Sequence, residues 1–147
     1  MEYSEEIDHK EIILRRIPPE GHVSSTQPRP EGGLRASSVR LLNKKGESRV
    51  SWSRLLITSP KQLLAQLTLD GISPQGWMVC RIAVSEIRKL GWEVVCCRTE
   101  QDPGHCHVVE TDRHPFTRKL WKKVSVKTRI LTPDEVASVQ AGDELQE

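Results

Sequence analysis

The alternation of hydrophobic and polar positions predicts a small β-sheet with a few short helices. The segment "EIILRRI" at 11–17 is typical of a strand, and the two prolines after it end the strand because proline cannot donate to a β-ladder. The stretch "RVSWSRLLI" alternates with the strand period, so we expect 34–57 to form a β-hairpin with its turn near 43–46. The mostly apolar "WMVCRIAV" at 77–84 indicates a buried strand.

Capping residues mark the expected helices. A serine, a proline and a glutamine at 59–62 form a capping box with proline in the first turn, which predicts a helix to about residue 69. A short helix, "SEIRKLG", is expected to end at Gly91 in a left-handed cap. A longer helix is predicted over 114–126, with its apolar side chains on one face. A second capping box begins a small helix within 132–142.

Cysteine and histidine are concentrated in "CCRTEQDPGHCHVV", which contains three of the four cysteines. The proline and glycine in its middle suit a turn, so we expect a hairpin over 92–111. Side chains alternate along a strand. With a turn over 100–104, one face would carry Cys96, Arg98, His105 and His107, and the other Val95, Cys97, Cys106 and Val108.

These residues leave three interpretations open. A zinc site would need ligands from both strands, or a further ligand such as Cys80 or His114. A thiol active site would pair Cys96 with His107 as its base. Unbound cysteines are, however, among the most buried residue types, and Cys80, Cys97 and Cys106 suit a core. We therefore predict core packing, with no resident metal, no cofactor and no catalytic residue.

The chain has 147 residues, of which 36% are hydrophobic, and this suffices for one modest core. We predict an α+β fold with a small mixed or antiparallel sheet, hairpins at 34–57 and 92–111, two or three short helices and flexible acidic termini. The expected organisation is an acidic tail at 1–11, one domain at 12–131 and a peripheral acidic helix and tail at 132–147. The absence of a long apolar run and of a signal-like start favours a cytoplasmic protein without a membrane segment.

Charge is distributed unevenly although the formal net charge is only +2. Residues 113–129 contain seven lysines or arginines and no acidic residue. Such a basic helix face is typical of proteins that hold phosphate backbones, so we predict a nucleic-acid or acidic protein partner. The contacts would come from Arg118, Lys119, Lys122 and Lys123. The alternatives are a solvated face, or neutralisation by the five carboxylates at each terminus.

A second candidate surface lies in the long polar segment "HVSSTQPRPEGGLRASSVR" at 22–40. Arginine beside paired hydroxyls suits a phosphate, because the guanidinium can bind it through two parallel hydrogen bonds. The candidate phosphate pocket comprises His22, Arg35, Ser37, Ser38 and His105. The alternative is a loop whose polar residues face water.

Five segments together resemble a group of small bacterial proteins: "LRRIPPEGHV", "GGLRASSV", "RVSW…TSPKQLL", "EIRKLGWEVV" and "DPGHCHVV". The pattern shared by the group is "LRRIPP", then an arginine followed by two serines, then a late "DPGH" turn. The resemblance spans about residues 12–125 and implies a bacterial source and a compact α+β domain. It also directs attention to the residues of the candidate phosphate pocket.

The chain is also similar to ADP-ribosyltransferase-type folds, in having Arg15 or Arg16 on the first strand and the Ser37–Ser38 pair further along. That resemblance implies that the arginine and serine hold a nicotinamide cofactor, and that a late glutamate polarises a ribose. Glu110 is the candidate glutamate, and His105 in its place would be a departure. Two functions follow: a non-enzymatic accessory subunit acting through the basic helix, or a nucleotide-binding enzyme with Arg15 or Arg16, Ser37 and His105 in its pocket.

Overall fold

The computed structural model describes residues 6–19 and 49–145. In this part of the chain the strands are β1 (Ile12–Ile17), β2 (Arg49–Arg54), β3 (Met78–Ala83), β4 (Glu93–Cys96), β5 (His105–Val109) and β6 (Arg129–Ile130). The helices are α1 (Pro60–Leu69), α2 (Val84–Arg88), α3 (Arg118–Lys127) and α4 (Pro133–Ser138).

The strands form one antiparallel sheet in the order β4-β5-β2-β1-β3-β6, which confirms the predicted α+β fold. The predicted strands at 11–17 and 77–84 and the hairpin at 92–111 are present as β1, β3 and β4–β5. Only the end of the predicted hairpin at 34–57 lies in the described residues, as β2. The two-residue strand β6 was not predicted, because nothing in its sequence distinguishes it from the end of a helix.

The two central strands separate soon after they meet. β1 pairs with β3 at six positions but with β2 only through Ile13↔Arg54 and Leu14↔Ser53. Beyond these pairs, the Arg15 guanidinium donates through Nη1 to the backbone carbonyl of Ser51 at 2.9 Å. We call this gap between β1 and β2 the seam. A side chain therefore bridges the seam where a sheet normally has backbone hydrogen bonds.

Each face of the sheet is covered by a different helix. On one face, the buried side chains of β1, β2 and β3 pack against Trp121 and Val124 of α3. The Trp121 ring lies 4.8 Å from that of Trp92, so aromatic contacts anchor this helix. On the other face, Leu14 and its neighbours pack against Leu63 of α1. Helices α1 and α3 therefore lie on opposite faces.

The helix starts follow their capping residues. The serine and glutamine at 59–62 form the predicted capping box before α1, and the box predicted at 132–135 precedes α4. The predicted start at His114 is wrong, because α3 begins four residues later at Arg118. The Thr117 hydroxyl accepts from the Leu120 amide, while His114 still pairs with Thr111 in a bridge. The threonine is the true cap, since its side chain satisfies a first-turn amide.

The acidic N-terminal segment is packed against the sheet from residue 6 onward. Ile7 is 2% exposed, and its carbonyl accepts from Arg88 at 2.6 Å. The Glu11 carboxylate accepts two hydrogen bonds from Arg54, at 2.7 and 2.8 Å. The sequence predicted a flexible acidic tail at 1–11, and within it Ile7 packs into the core while Glu11 is the partner of the buried Arg54. In the described residues, no helix is long and apolar enough to span a bilayer.

Candidate functional site

A cleft of about 520 Å³ opens along the seam on the α1 side of the sheet. This volume lies in the range of small-molecule sites. Three strands and one helix contribute to its walls. Its basic and hydroxyl-bearing residues are Arg15, Arg16, Arg49, Ser51, Ser53, Thr99, His105 and His107. The walls are therefore rich in groups that donate hydrogen bonds to anions.

Arg15 is the most unusual residue of the cleft. It is 4% exposed, and its guanidinium carbon lies 5.8 Å from the centre of the Trp52 ring. Its Nε and Nη2 atoms are buried and have no hydrogen-bond partner among the described residues. Within residues 6–19 and 49–145, no carboxylate forms an ion pair with it. Both nitrogen atoms are strong hydrogen-bond donors, and native proteins rarely leave buried donors without an acceptor.

The charge of Arg15 persists at neutral pH. The pKa of the guanidinium is lowered to about 10, mainly by burial and to a smaller extent by the neighbouring Arg16, while Cys80 acts in the opposite direction. Burial also raises the pKa of the Cys80 thiol to about 12, so this thiol is neutral near pH 7 and offers no counter-charge. The cleft wall therefore contains a buried cation whose charge is not balanced by an anion of residues 6–19 or 49–145.

Arg16 connects β1 to helix α1. Its Nη1 donates to the Leu63 carbonyl at 3.3 Å. Burial lowers the pKa of Arg16, and the carboxylates of Asp70 and Asp102 partly oppose that effect. On the opposite wall, burial lowers the pKa of His107, and the positive charges of His105 and Arg49 add to this. His107 is therefore neutral near pH 7.

The turn before β5 is fixed by a buried carboxylate. Asp102 is 5% exposed and accepts from the hydroxyls of Ser53 and Thr58 and from the Gly104 amide. A Cβ added at Gly104 would lie 2.4 Å from the Thr58 hydroxyl oxygen, so only glycine permits this close approach. The network fixes the start of β5 and hence His105. Sequence reasoning treated Asp102 only as a turn residue, since its hydroxyl partners lie more than forty positions away.

The predicted faces of the 92–111 hairpin are wrong for its first strand. Cys96 pairs with Cys106, and Val95 pairs with His107, so Cys97 joins the face of the two histidines. Val94 and Cys96 therefore pack into the core on the same face as Cys106. The strand β4 ends at Cys96, because residues 97–104 form a longer turn than predicted. Cys96 and His107 lie on opposite faces, which contradicts the catalytic thiol interpretation. Cys80 and Cys106 are fully buried, as predicted for core residues.

The interior of the cleft brings together only part of the predicted phosphate pocket. His105 lines the cleft with Arg15 and Arg16. The remaining members, His22, Arg35, Ser37 and Ser38, lie outside the described residues. Glu110, the candidate glutamate of the ADP-ribosyltransferase resemblance, does not line the cleft, and its carboxylate accepts from the Phe116 amide at 3.0 Å. The described cleft therefore does not contain that glutamate.

The predicted basic face is exposed on α3. Trp121 and Val124 are buried, whereas Arg118, Lys119, Lys122 and Lys123 are exposed. None of these four cations forms an ion pair with a carboxylate of residues 6–19 or 49–145. The expected neutralisation by the acidic termini is not seen in this part of the chain. This basic face is separated from the cleft by the sheet.

No family model, curated protein or solved structure matches this chain.

Proposed function

We propose that the protein binds a small phosphate-bearing molecule in the cleft, with Arg15 as its central contact. The observation that carries this proposal is the buried guanidinium with two unpartnered nitrogen atoms on the cleft wall. A buried charge is strongly unfavourable unless an opposite charge compensates it. Phosphate would supply both the missing acceptors and the opposite charge. Its oxygens accept parallel hydrogen bonds from a guanidinium, and its negative charge balances that of the arginine.

The other groups of the cleft support a doubly charged anion over a single carboxylate. Three arginines and two histidines line the cleft, against two aspartates. One of these, Asp102, is already engaged by two hydroxyls and an amide. Even with His107 neutral, the three arginines outnumber the two aspartates. The several donors of the cleft suit a phosphate ester or a diphosphate, because these offer more acceptor oxygens than a carboxylate does. A nucleotide meets this requirement, and its binding by Arg15, Arg16 and His105 needs no catalytic step.

Thermal unfolding in the presence of candidate anions tests this proposal. Phosphate, diphosphate, AMP and NAD are compared with chloride at equal ionic strength. A ligand of the folded state raises the midpoint progressively, by an amount equivalent to about 2.7 kcal/mol at one hundred times its Kd. We expect at least one phosphate compound to do so in the wild type. A flat response to all four compounds would refute the proposal.

Two arginine variants locate the site in the same experiment. We expect Arg16→Gln, inside the cleft, to weaken the response. Arg113→Gln, which removes one exposed cation outside the cleft, should leave it unchanged. If the anion shifts the unfolding midpoint of both variants as much as that of the wild type, it binds elsewhere, and the cleft is not the anion site.

We infer a second candidate function from the exposed basic face of α3, namely binding of nucleic acid or an acidic protein as an accessory subunit of a complex. It is supported by the exposure of Arg118, Lys119, Lys122 and Lys123, and by the lack of carboxylate partners for them in the described ranges. Because Trp121 and Val124 anchor the opposite side of the helix, the cations point to solvent. Lysines and arginines of this kind favour binding to a nucleic acid, because they replace and release the counterions condensed on its phosphate backbone.

Charge reversal on α3 tests the second function. We expect the double variant Lys119→Glu/Lys122→Glu to weaken binding to duplex DNA or RNA. The slope of log affinity against log salt concentration is negative, and its magnitude should decrease by about 2 if each lysine contacts one phosphate. The matched control is Lys10→Glu/Lys61→Glu, which changes the net charge equally at exposed positions outside α3. Equal losses in both variants would indicate a net-charge effect and contradict a role for the helix.

A further inference from the structure

Three side chains with metal-binding atoms meet beside the cleft, where β4 runs into the turn. The Cys97 thiol and one ring nitrogen each from His105 and His107 lie within 4.8 Å of one another. In a tetrahedral zinc site, sulfur and nitrogen ligands are separated by roughly 3.3 to 3.6 Å, given zinc–sulfur and zinc–nitrogen bonds of about 2.3 and 2.0 Å. All three residues are only partly buried, so their side chains are accessible to an ion from solution.

The backbone around these residues already holds one ligand in a binding orientation. The Nδ1 atom of His105 lies 3.0 Å from the carbonyl oxygen of Cys97, and the Cys97 amide donates to the His105 carbonyl at 2.9 Å. A carbonyl oxygen only accepts hydrogen bonds, so Nδ1 carries the hydrogen and the lone pair of Nε2 is available. A hydrogen bond from the second ring nitrogen to a backbone carbonyl is typical of metal-binding histidines.

We propose that Cys97, His105 and His107 bind one zinc ion and leave a coordination position open towards the cleft. One thiolate and two imidazoles are a donor set that zinc favours, and three protein ligands with a free position are typical of zinc sites that bind a further molecule. His105 and His107 also line the cleft, so the free position faces it. Metal binding at these three residues does not depend on the proposed anion site.

The fold also explains which cysteine belongs to the site. Cys96 points to the opposite face with Cys106, and Cys80 is buried in that same core. His114 contacts Gly91, away from the hairpin turn. Of the four cysteines, only Cys97 shares a face with the two histidines.

Cobalt(II) is the probe that tests the site, because its absorption reports geometry and thiolate ligation. Protein freed of metal by a chelator is titrated with cobalt alone. We expect one equivalent to produce visible bands of tetrahedral cobalt and a near-ultraviolet band from sulfur, and one equivalent of zinc to remove both. Cys97→Ser should abolish the sulfur band and weaken binding by more than about tenfold. Cys96→Ser, its neighbour on the other face, should retain both bands.

Several results would overturn the proposal: no cobalt spectrum, a spectrum without the sulfur band, or equal behaviour of the two cysteine variants. If Cys97→Ser does not fold, alkylation of the wild type replaces it. Zinc should then slow iodoacetamide labelling of Cys97 and not of Cys96, as followed by peptide mass spectrometry, and equal labelling with and without zinc would refute the site. An unchanged cobalt spectrum in Arg16→Gln, together with lost anion binding, would separate this site from the cleft function.

Discussion

Replacement of Arg15 by methionine is expected to lower the affinity for phosphate at least roughly 100-fold while leaving the unliganded protein as stable as before, or more stable. The affinity falls because the variant loses the charge-assisted hydrogen bonds to the anion, each contributing about 1.5–3 kcal/mol. Stability does not fall because, within the part of the chain that the structure describes, the buried guanidinium donates a single hydrogen bond, to Ser51. Replacing a poorly compensated buried charge by a similar apolar side chain is often neutral or stabilising.

Two measurements check this expectation on the same protein samples. Urea unfolding without phosphate gives the intrinsic stability, and calorimetric titration with phosphate or the best nucleotide gives the affinity. The variant Arg15→Lys retains a charge but lacks the planar fork, so we expect an intermediate affinity. A methionine variant that loses several kcal/mol of stability and still binds phosphate would show that Arg15 is structural.

Replacement of Glu11 by alanine is expected to reduce the free energy of unfolding by about 3–5 kcal/mol, the usual effect of removing one partner of a buried ion pair. The carboxylate is the two-pronged partner of Arg54, which is 1% exposed. Burial alone would lower the pKa of Arg54, but the hydrogen bonds that Arg54 donates to Glu11 and the attraction between the two charges outweigh this effect and raise the pKa. Without Glu11, the buried guanidinium of Arg54 would lose both of these hydrogen bonds.

Urea unfolding compares this variant with Glu100→Ala, an exposed acidic position at which we expect a change within about 0.5 kcal/mol. The double variant Glu11→Ala/Arg54→Met should recover much of the loss, because it removes both charges. A loss below about 1 kcal/mol for Glu11→Ala, or no recovery in the double variant, would contradict the buried ion pair.

Sequence patterns predicted the elements whose signals are local. The capping boxes of α1 and α4 each depend on residues three positions apart, and both are present in the structure. The cap of α3 was assigned too early because a proline after His114 gives the same local signal as a true helix start. The structure decides between them by the hydrogen bond from Leu120 to Thr117.

Features that depend on pairing between distant segments were not predictable. Glu11 and Arg54 are 43 positions apart, and no pattern in the acidic N-terminal stretch identifies which carboxylate is buried. The choice between Cys96 and Cys97 depends on where strand pairing stops, which the Asp102 network decides. Arg15 and His105 were both candidates from the sequence, but their shared cleft arises only from the strand order β5-β2-β1.

Along the seam, few backbone hydrogen bonds join the two central strands of the sheet. Strands β1 and β2 share two residue pairs, whereas β1 and β3 share six. The Arg15 guanidinium, the Arg54–Glu11 ion pair and a backbone hydrogen bond from Leu55 to Ile12 also connect the trio β4-β5-β2 to the trio β1-β3-β6. A molecule that binds Arg15 of β1 and the histidines of β5 would add a further connection across the seam and would stiffen the sheet at this point.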